Sequence, residues 1–455
     1  MPYNGIEKKE KYMARFVLLY LKTSGLKSLD HDIELQFYNH DLSTFSYNSS
    51  LIKAIYGTNG EGKTAIAHTL ELYKNSVVNG EYLAAQSFSG ALQGLINQKT
   101  QKVSIDLYFA LFLSEKKYDI VHHIIEYKLV DNRVYVSHEL ISKCNGTSWG
   151  NIDNEDIIFE TREGEFTFIY PKLDEETKEE IKDKTRNLLS NGSCVFSVVV
   201  NSIISNHPSP KKKAAAFQTM DLIAKRIILF CLFMNIYIDK DDRVNVSTER
   251  VESKVGSGLA YSIQIGDGED VVSIEKENEY RKQIKRIEDM IKVFKPDLDY
   301  IDLKFADARG AKLIFKKTFI YKNGDKIDLA YESTGIKKLV RIFGALSAVD
   351  DGGVVFIDEF DANIHDVYLC KLIEYFSEFT NGQLIFTTHN LGPMEVLDKK
   401  GAKHSIDFIN KKKVTPWRRN GNYSVVNVYR KGMIPNSPFN IESVDFIRVL
   451  GGGKR

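Results

Sequence analysis

The sequence predicts an α/β fold: a mixed sheet with flanking helices, an antiparallel β subdomain and a mostly helical insertion. Three observations predict it. At both ends of the chain short apolar runs alternate with amphipathic helical stretches, the pattern of βαβ units with buried parallel strands. Between about 103 and 170, apolar and polar residues alternate in runs separated by polar turns, as in an antiparallel meander. From 172 to 296 charged and amphipathic helical periodicity takes over.

In chain order, β alternation covers 14–56 ("RFVLLYLKTSGL", "IELQFYN", "LIKAIYG"), and a helix with Ile66, Leu70 and Tyr73 on one face follows. The meander comprises "VSIDLYFALFL", "YDIVHHIIEYKLV", "RVYVSHELI" and "DIIFETREGEFTFIYP". Helices are expected at 172–191, at about 214–238 and over "NEYRKQIKRIEDMIKVFKPD", where Ile284, Ile287, Ile291 and Phe294 share a face. Strands return from 297, with hairpin chemistry at Asn323-Gly324. A helix, the strand "GGVVFIDEF", another helix and the strand "GQLIFTTHN" come next, and "NYSVVNVYRKGMIPNSPFN" reads as a terminal strand and a loop. The expected domains are therefore 1–171, an N-terminal lobe; 172–296, a helical insertion for assembly or partner binding; and 297–455, a C-terminal lobe. The two lobes are expected to complete one sheet.

The 455 residues suffice for one large domain or two to three ordinary ones, and 43% apolar with 27% charged residues is a globular composition. Lys plus Arg number 62 against 61 Asp plus Glu, a net charge of +1, so charge balance makes no global case for a nucleic-acid or membrane surface. The four cysteines, Cys144, Cys194, Cys231 and Cys370, lie far apart without a CxxC pair and read as isolated buried thiols in a reducing cytosol. The opening "MPYNGIEKKEKYMARFVLLYL" has a short, broken apolar stretch and no cleavage signal. The most apolar later run, Ile223 to Ile238, is shorter than a membrane span and carries Lys225 and Arg226. The chain is expected to be cytoplasmic, with no membrane partner.

Gly57-Thr58-Asn59-Gly60-Glu61-Gly62-Lys63-Thr64 matches G-x-x-x-x-G-K-[ST] after a strand and before a helix, the context that confirms a P-loop. In such a loop successive N–H groups, including those of Asn59, Gly60 and Gly62, and the helix N-terminus face a phosphate. Lys63 would reach the β and γ oxygens of ATP, and the Thr64 hydroxyl would ligate Mg2+. "VVFIDEFD" supplies a second half: four apolar residues deliver Asp358 to the C-terminal end of a buried strand, where it would ligate Mg2+. Glu359 would polarise the attacking water.

"YESTGIKKLVRIFGAL" places Ser333 as an N-cap before an apolar face of Ile336, Leu339, Val340, Phe343 and Leu346. A plain capped helix accounts for that pattern. Ser-x-Gly at a helix N-terminus just before the Asp-Glu strand also resembles the signature motif of ABC-type ATPases, and that resemblance implies that Ser333 and Gly335 meet a γ-phosphate held by another subunit. In "LIFTTHN", His389 follows the next apolar strand; a lone His there suits a structural hydrogen bond, while in this motif order it looks like a switch histidine that touches the γ-phosphate, a role that suits a neutral imidazole. His365 in "DANIHD" lies one helical turn after the acidic pair.

In this order the motifs resemble the ABC-type ATPase heads of the bacterial AAA/OLD-like ATPase group, relatives of SMC and RecF proteins. The resemblance covers 14–110 and 297–400 well and the insertion poorly. It implies phosphate and Mg2+ contacts at Lys63 and Thr64, Mg2+ at Asp358, catalysis at Glu359, signature contacts at Ser333 and Gly335, and a switch at His389. The signature here is "STGIKK" and not "SGGQ", and Gln93 and Gln98 are the Q-loop candidates. The wording of "EFDANIHD" and "TTHN" is similar to ATPase subunits of anti-phage systems such as the AriA component of PARIS and the AbiLi abortive-infection ATPase.

That resemblance implies a homo-oligomer, at least a dimer. It also implies a separately encoded effector, a nuclease, with a phage protein as trigger. The C-terminal region carries no TOPRIM-like acidic cluster that would build a nuclease into this chain. A DNA-binding repair ATPase of the RecF or SMC kind is the alternative, with Lys211 to Lys213 gripping phosphates.

Overall fold

The structure, a computed structural model, describes residues 15–38, 51–112, 118–144, 155–190, 195–199, 215–238, 265–309, 312–379, 381–410, 413–417 and 424–434. Lys211–Lys213 and Cys194 lie outside the described residues.

The chain opens with β1 (Arg15–Ser24), β2 (Ile33–Gln36) and β3 (Ile52–Gly57), followed by α1 (Lys63–Val78), α2 (Tyr82–Ser89) and α3 (Ala91–Leu95). The meander follows as β4 (Lys102–Phe112), β5 (Tyr118–Val130), β6 (Arg133–Cys144), β7 (Glu155–Arg162) and β8 (Glu165–Ile169). These strands make a seven-stranded antiparallel sheet, β2-β1-β4-β5-β6-β7-β8: the alternation over 103–170 predicts its meander, and β1 and β2 extend it. β3 leaves it and joins a different sheet.

Next come α4 (Glu175–Ser190), α5 (Ala215–Phe233), β9 (Met234–Tyr237), β10 (Asp270–Ser273) and α6 (Glu277–Phe294). This stretch corrects two expectations. The helix expected to 238 ends at Phe233, and Met234–Tyr237 pair in parallel with Val354–Ile357 as an edge of the central sheet. A continuous apolar run does not distinguish a buried helix from a buried strand, so the switch is invisible to periodicity. β10 likewise pairs with a strand from beyond residue 297. The 172–296 stretch is thus not purely helical, and it contributes strands to both flanking sheets.

The remainder comprises β11 (Leu298–Arg309), β12 (Lys312–Tyr321), β13 (Lys326–Asp328), α7 (Thr334–Asp350), β14 (Val354–Ile357), α8 (Asp366–Phe379), β15 (Gln383–Thr388), α9 (Leu391–Lys399), β16 (Ile406–Asn410), β17 (Lys413–Pro416) and α10 (Val425–Arg430). Strands β10, β12 and β11 form a small antiparallel sheet, with β13 on β12. The expected terminal strand at 424–430 is a helix instead, with Val425, Val426, Val428 and Tyr429 buried. Asn427 breaks strict alternation, and the spacing of the four buried residues fits one helical face.

The central sheet runs β17-β16-β3-β15-β14-β9 and is parallel except at β17. The two ends of the chain do complete it, since β3 lies between β15 and β16. Alternate residues of its strands face opposite layers. Ile55, Val354, Phe356, Ile385 and Ile409 pack with α1, α5 and the meander. Ala54, Tyr56, Val355, Ile357, Leu384 and Phe386 pack with α6, α7, α8 and α9 on the other side. Two cores sandwiching one parallel sheet is what buries strands this apolar on both faces. It also leaves the C-terminal ends of β3, β14 and β15 side by side at one edge.

Candidate nucleotide site

Those three strand ends carry the chemistry. Tyr56 of β3 stands opposite Thr388 of β15, and Phe386 opposite Ile357 of β14. Register therefore places Gly57, Asp358 and His389 one step past neighbouring rungs of the sheet, where ligands meet parallel α/β sheets.

The loop after β3 turns directly into α1. Gly62 takes φ +102°, a left-handed conformation that a side chain resists, and a Cβ there would lie 2.5 Å from the Leu29 side chain. Asn59 and Gly60 are exposed at the tip, and the Gly60 carbonyl accepts a hydrogen bond from Ser28 Oγ at 3.3 Å. Lys63 is buried and curls back over the loop, donating to the carbonyls of Gly57 at 2.7 Å and Thr58 at 2.9 Å. Burial lowers its pKa, while Asp358, Glu359, Asp361 and Glu61 pull it upward. Thr64, half-buried, follows it in the first turn of α1.

Asp358 is buried at the end of β14, and its N–H donates to the Tyr237 carbonyl of β9 at 2.8 Å. Its carboxylate accepts from Thr387 Oγ1 at 2.6 Å. Glu359 is exposed and sits at φ +48°, an unusual value for a residue with a side chain. His389 is reachable by solvent, and its N–H donates to the Asp361 carboxylate at 3.3–3.4 Å. Partial burial and the Lys63 ammonium hold the imidazole below its usual pKa against Asp361, Glu359 and Asp358. Lys63 and His389 thus each lie close enough to Asp358, Glu359 and Asp361 to feel their charge.

Ser333 and Gly335 sit elsewhere around the same turn. Ser333 caps α7, its hydroxyl accepting from the Ile336 N–H at 3.4 Å, and the expected helix face is buried. Thr334 Oγ1 donates to Asn363 Oδ1 at 3.3 Å, and a Cβ at Gly335 would lie 2.5 Å from the Asn363 carbonyl. The first turn of α7 therefore packs against the loop that follows the acidic pair. Among the described residues no hydrogen bond joins Ser333 or Gly335 to the glycine loop. His365 makes a local contact, accepting from the Val367 N–H at 3.3 Å. Gln93 donates to the Asn132 carbonyl, and Gln98 to the carbonyls of Gln93 and Ile96.

The donor set suits a magnesium nucleotide. Among the described residues no cluster of three or more His, Cys, Asp or Glu side chains could cage a metal. Mg2+ rarely needs one, because it is held through one or two protein oxygens together with water and substrate phosphates. The Thr64 hydroxyl and the Asp358 carboxylate are hard oxygen donors of that kind.

Sequence reasoning missed the residues that hold this geometry. Thr387 accepts from the Glu359 N–H at 2.7 Å while donating to Asp358, and Lys338, buried on α7, donates to the Glu359 carbonyl at 2.5 Å. Their only sequence signal was proximity to recognised motifs. Among the described residues, Cys144 and Cys231 are buried and free and Cys370 is half-buried, and no helix is long and apolar enough to cross a membrane.

Residues 215–395 match the family described as "AAA domain, putative AbiEii toxin, Type IV TA system". That span holds Ser333, Gly335, Asp358, Glu359 and His389, while the glycine loop lies before it. No curated protein matches the chain. Among solved structures, the chain is similar to the Smc head domain with an extended coiled coil bound to the C-terminal domain of ScpA from Pyrococcus furiosus. That pair has 13% identity and a TM-score of 0.39, covering 88% of this chain and 96% of the other. The Smc head domain with a coiled coil and joint from Pyrococcus yayanosii gives 11% identity and a TM-score of 0.39, covering 89% and 97%. Over residues 215–395 the chain therefore carries a stretch similar to an AAA-type ATPase domain.

Proposed function

We propose that this chain binds and hydrolyses ATP, and that nucleotide-dependent association of two or more copies lets it hold, release or activate a separate toxic effector in anti-phage defence. The observation that carries the reading is the convergence of Lys63, Asp358, Glu359 and His389 at the ends of three adjacent parallel strands. Lys63 would neutralise the β and γ oxygens, leaving its present contacts to the loop carbonyls. Thr64 and Asp358 would hold Mg2+, which supplies charge neutralisation across the phosphates. Glu359 would orient and deprotonate the attacking water. His389, held toward its neutral form, would donate to or accept from the γ-phosphate shell without adding charge.

The signature helix supports association. Ser333 and Gly335 sit at a helix N-terminus, which favours an anion. Among the described residues no hydrogen bond ties them to the glycine loop of their own chain, and in the proposed association a second copy brings them to its phosphate. The toxin–antitoxin wording of the matched family supports the defence setting. For that setting we propose a nuclease as effector, a phage protein as trigger and the cytoplasm as location. AriA of PARIS and AbiLi remain the systems whose motif wording it resembles.

Phosphate release from Mg-ATP by the purified chain tests the enzymatic core of this reading. The expected result is turnover that disappears, together with nucleotide binding, in Lys63→Ala. Turnover unaffected by Lys63→Ala would overturn it.

A further inference from the structure

Glu359 occupies a left-handed backbone conformation, φ +48°, in a turn whose neighbouring Asn363 is also left-handed at +61°. Such a conformation at a residue with a side chain persists only where its surroundings over-determine it. Here the surroundings are identifiable. The Glu359 N–H donates to Thr387 Oγ1 at 2.7 Å, and the Glu359 carbonyl accepts from Lys338 Nζ at 2.5 Å and from the Ala362 N–H at 3.0 Å. Both side chains are buried, Thr387 at 0% and Lys338 at 2% exposure. They come from different elements, β15 and α7, and grip the two polar groups flanking one exposed residue.

We infer that Thr387 and Lys338 are positioning residues that clamp the Glu359 backbone and so aim its carboxylate at the water that attacks ATP. The inference rests on the reading of Glu359 as the hydrolytic base.

The chemistry of the two clamps differs. The Thr387 hydroxyl has one proton, and Asp358 Oδ1 receives it at 2.6 Å, leaving the oxygen lone pairs free to accept the Glu359 N–H. One hydroxyl thus orders both acidic residues, donating to one and accepting from the other through a single atom. Lys338 brings a cation to a carbonyl in a buried place, a strong charge-assisted bond.

The test compares Thr387→Val, Thr387→Ser, Lys338→Met and Glu359→Gln in the full chain. It reads kcat, affinity for a fluorescent ATP analogue and thermal melting. Val keeps the shape of Thr387 without the hydroxyl. Met keeps the stem of Lys338, and Ala362 still satisfies the carbonyl. Thr387→Val and Lys338→Met should each lower kcat by about 10–100-fold, the range for lost supporting contacts around a functional centre. Analogue affinity should stay near the wild-type value in both, and Thr387→Ser should restore turnover to near the wild-type value. Wild-type kcat in folded Thr387→Val and Lys338→Met would overturn the inference, as would a Thr387→Ser variant as slow as Thr387→Val. If Thr387→Val does not melt cooperatively, Lys338→Met and Thr387→Ser decide. Normal turnover by Glu359→Gln would instead overturn the underlying reading, and the inference with it.

Discussion

The side-chain amide of Gln383 pairs with the backbone of Leu18 as a peptide unit would. Its Nε2 donates to the Leu18 carbonyl at 2.9 Å, and its Oε1 accepts the Leu18 N–H at 2.9 Å. Gln383 opens β15 of the central sheet, and Leu18 lies in β1 of the meander sheet, beside a register shift against β4. One buried glutamine thus takes the place of a neighbouring strand at Leu18 and bridges the two sheets there.

Replacing it by Leu should leave two buried backbone groups of Leu18 unpaired, at about 1–3 kcal/mol each. Urea denaturation of Gln383→Leu should therefore show a clearly lower midpoint. An unchanged midpoint would mean that water or a relaxed backbone satisfies Leu18.

Gly335 makes a second stringent position. Its Cβ would meet the Asn363 carbonyl at 2.5 Å, and backbone cannot yield as a flexible side chain can. Gly335→Ala should displace the turn after the acidic pair, slowing turnover more than it weakens ATP binding. A kcat equal to wild type would show that the helix and the turn separate freely.

Ser333 can be tested without losing its cap, because Asp caps helices as well as Ser does. Ser333→Asp should keep thermal stability yet place a negative charge where the partner's γ-phosphate is proposed to bind. Sedimentation should then show association with Mg-ATP in the wild type and its loss in Ser333→Asp. Equal association in both would remove Ser333 from the interface.

His122 carries a pH dependence. It is buried with Nδ1 at 2.7 Å from Glu155 and Nε2 at 2.9 Å from Asp106, and it stacks on Tyr108 at 3.9 Å. Burial alone would lower its pKa, but the two carboxylates outweigh that and raise it above 6.5. A raised folded pKa means the contribution is fully present below about 6.5 and lost as pH rises through the folded value. The melting temperature should fall more steeply as pH rises above about 6.5 in the wild type than in His122→Gln. Parallel curves would refute the charged state.

Much of the fold was legible. The meander, the strands of the two lobes and their meeting in one sheet follow from alternation and from βαβ periodicity. β9 was not, because "CLFMNIY" is apolar except for Asn235 and shows neither period, and pairing with Val354–Ile357 decided its state. Nor was α10, where "SVVNVY" resembles a strand and burial against the sheet made it a helix. Within the site, the glycine loop and the acidic pair announce themselves through spacing. Thr387 and Lys338 do not, since their role arises only where β15 and α7 converge on Glu359.

The central claim is that Glu359 drives hydrolysis while Lys63 holds the nucleotide. Parallel measurement of bound ATP and released phosphate in Glu359→Gln tests it most directly. Glu359→Gln should keep ATP bound at wild-type occupancy while phosphate release falls by roughly 10²–10⁴-fold, the contribution of a positioned general base. Phosphate release at the wild-type rate would contradict the account.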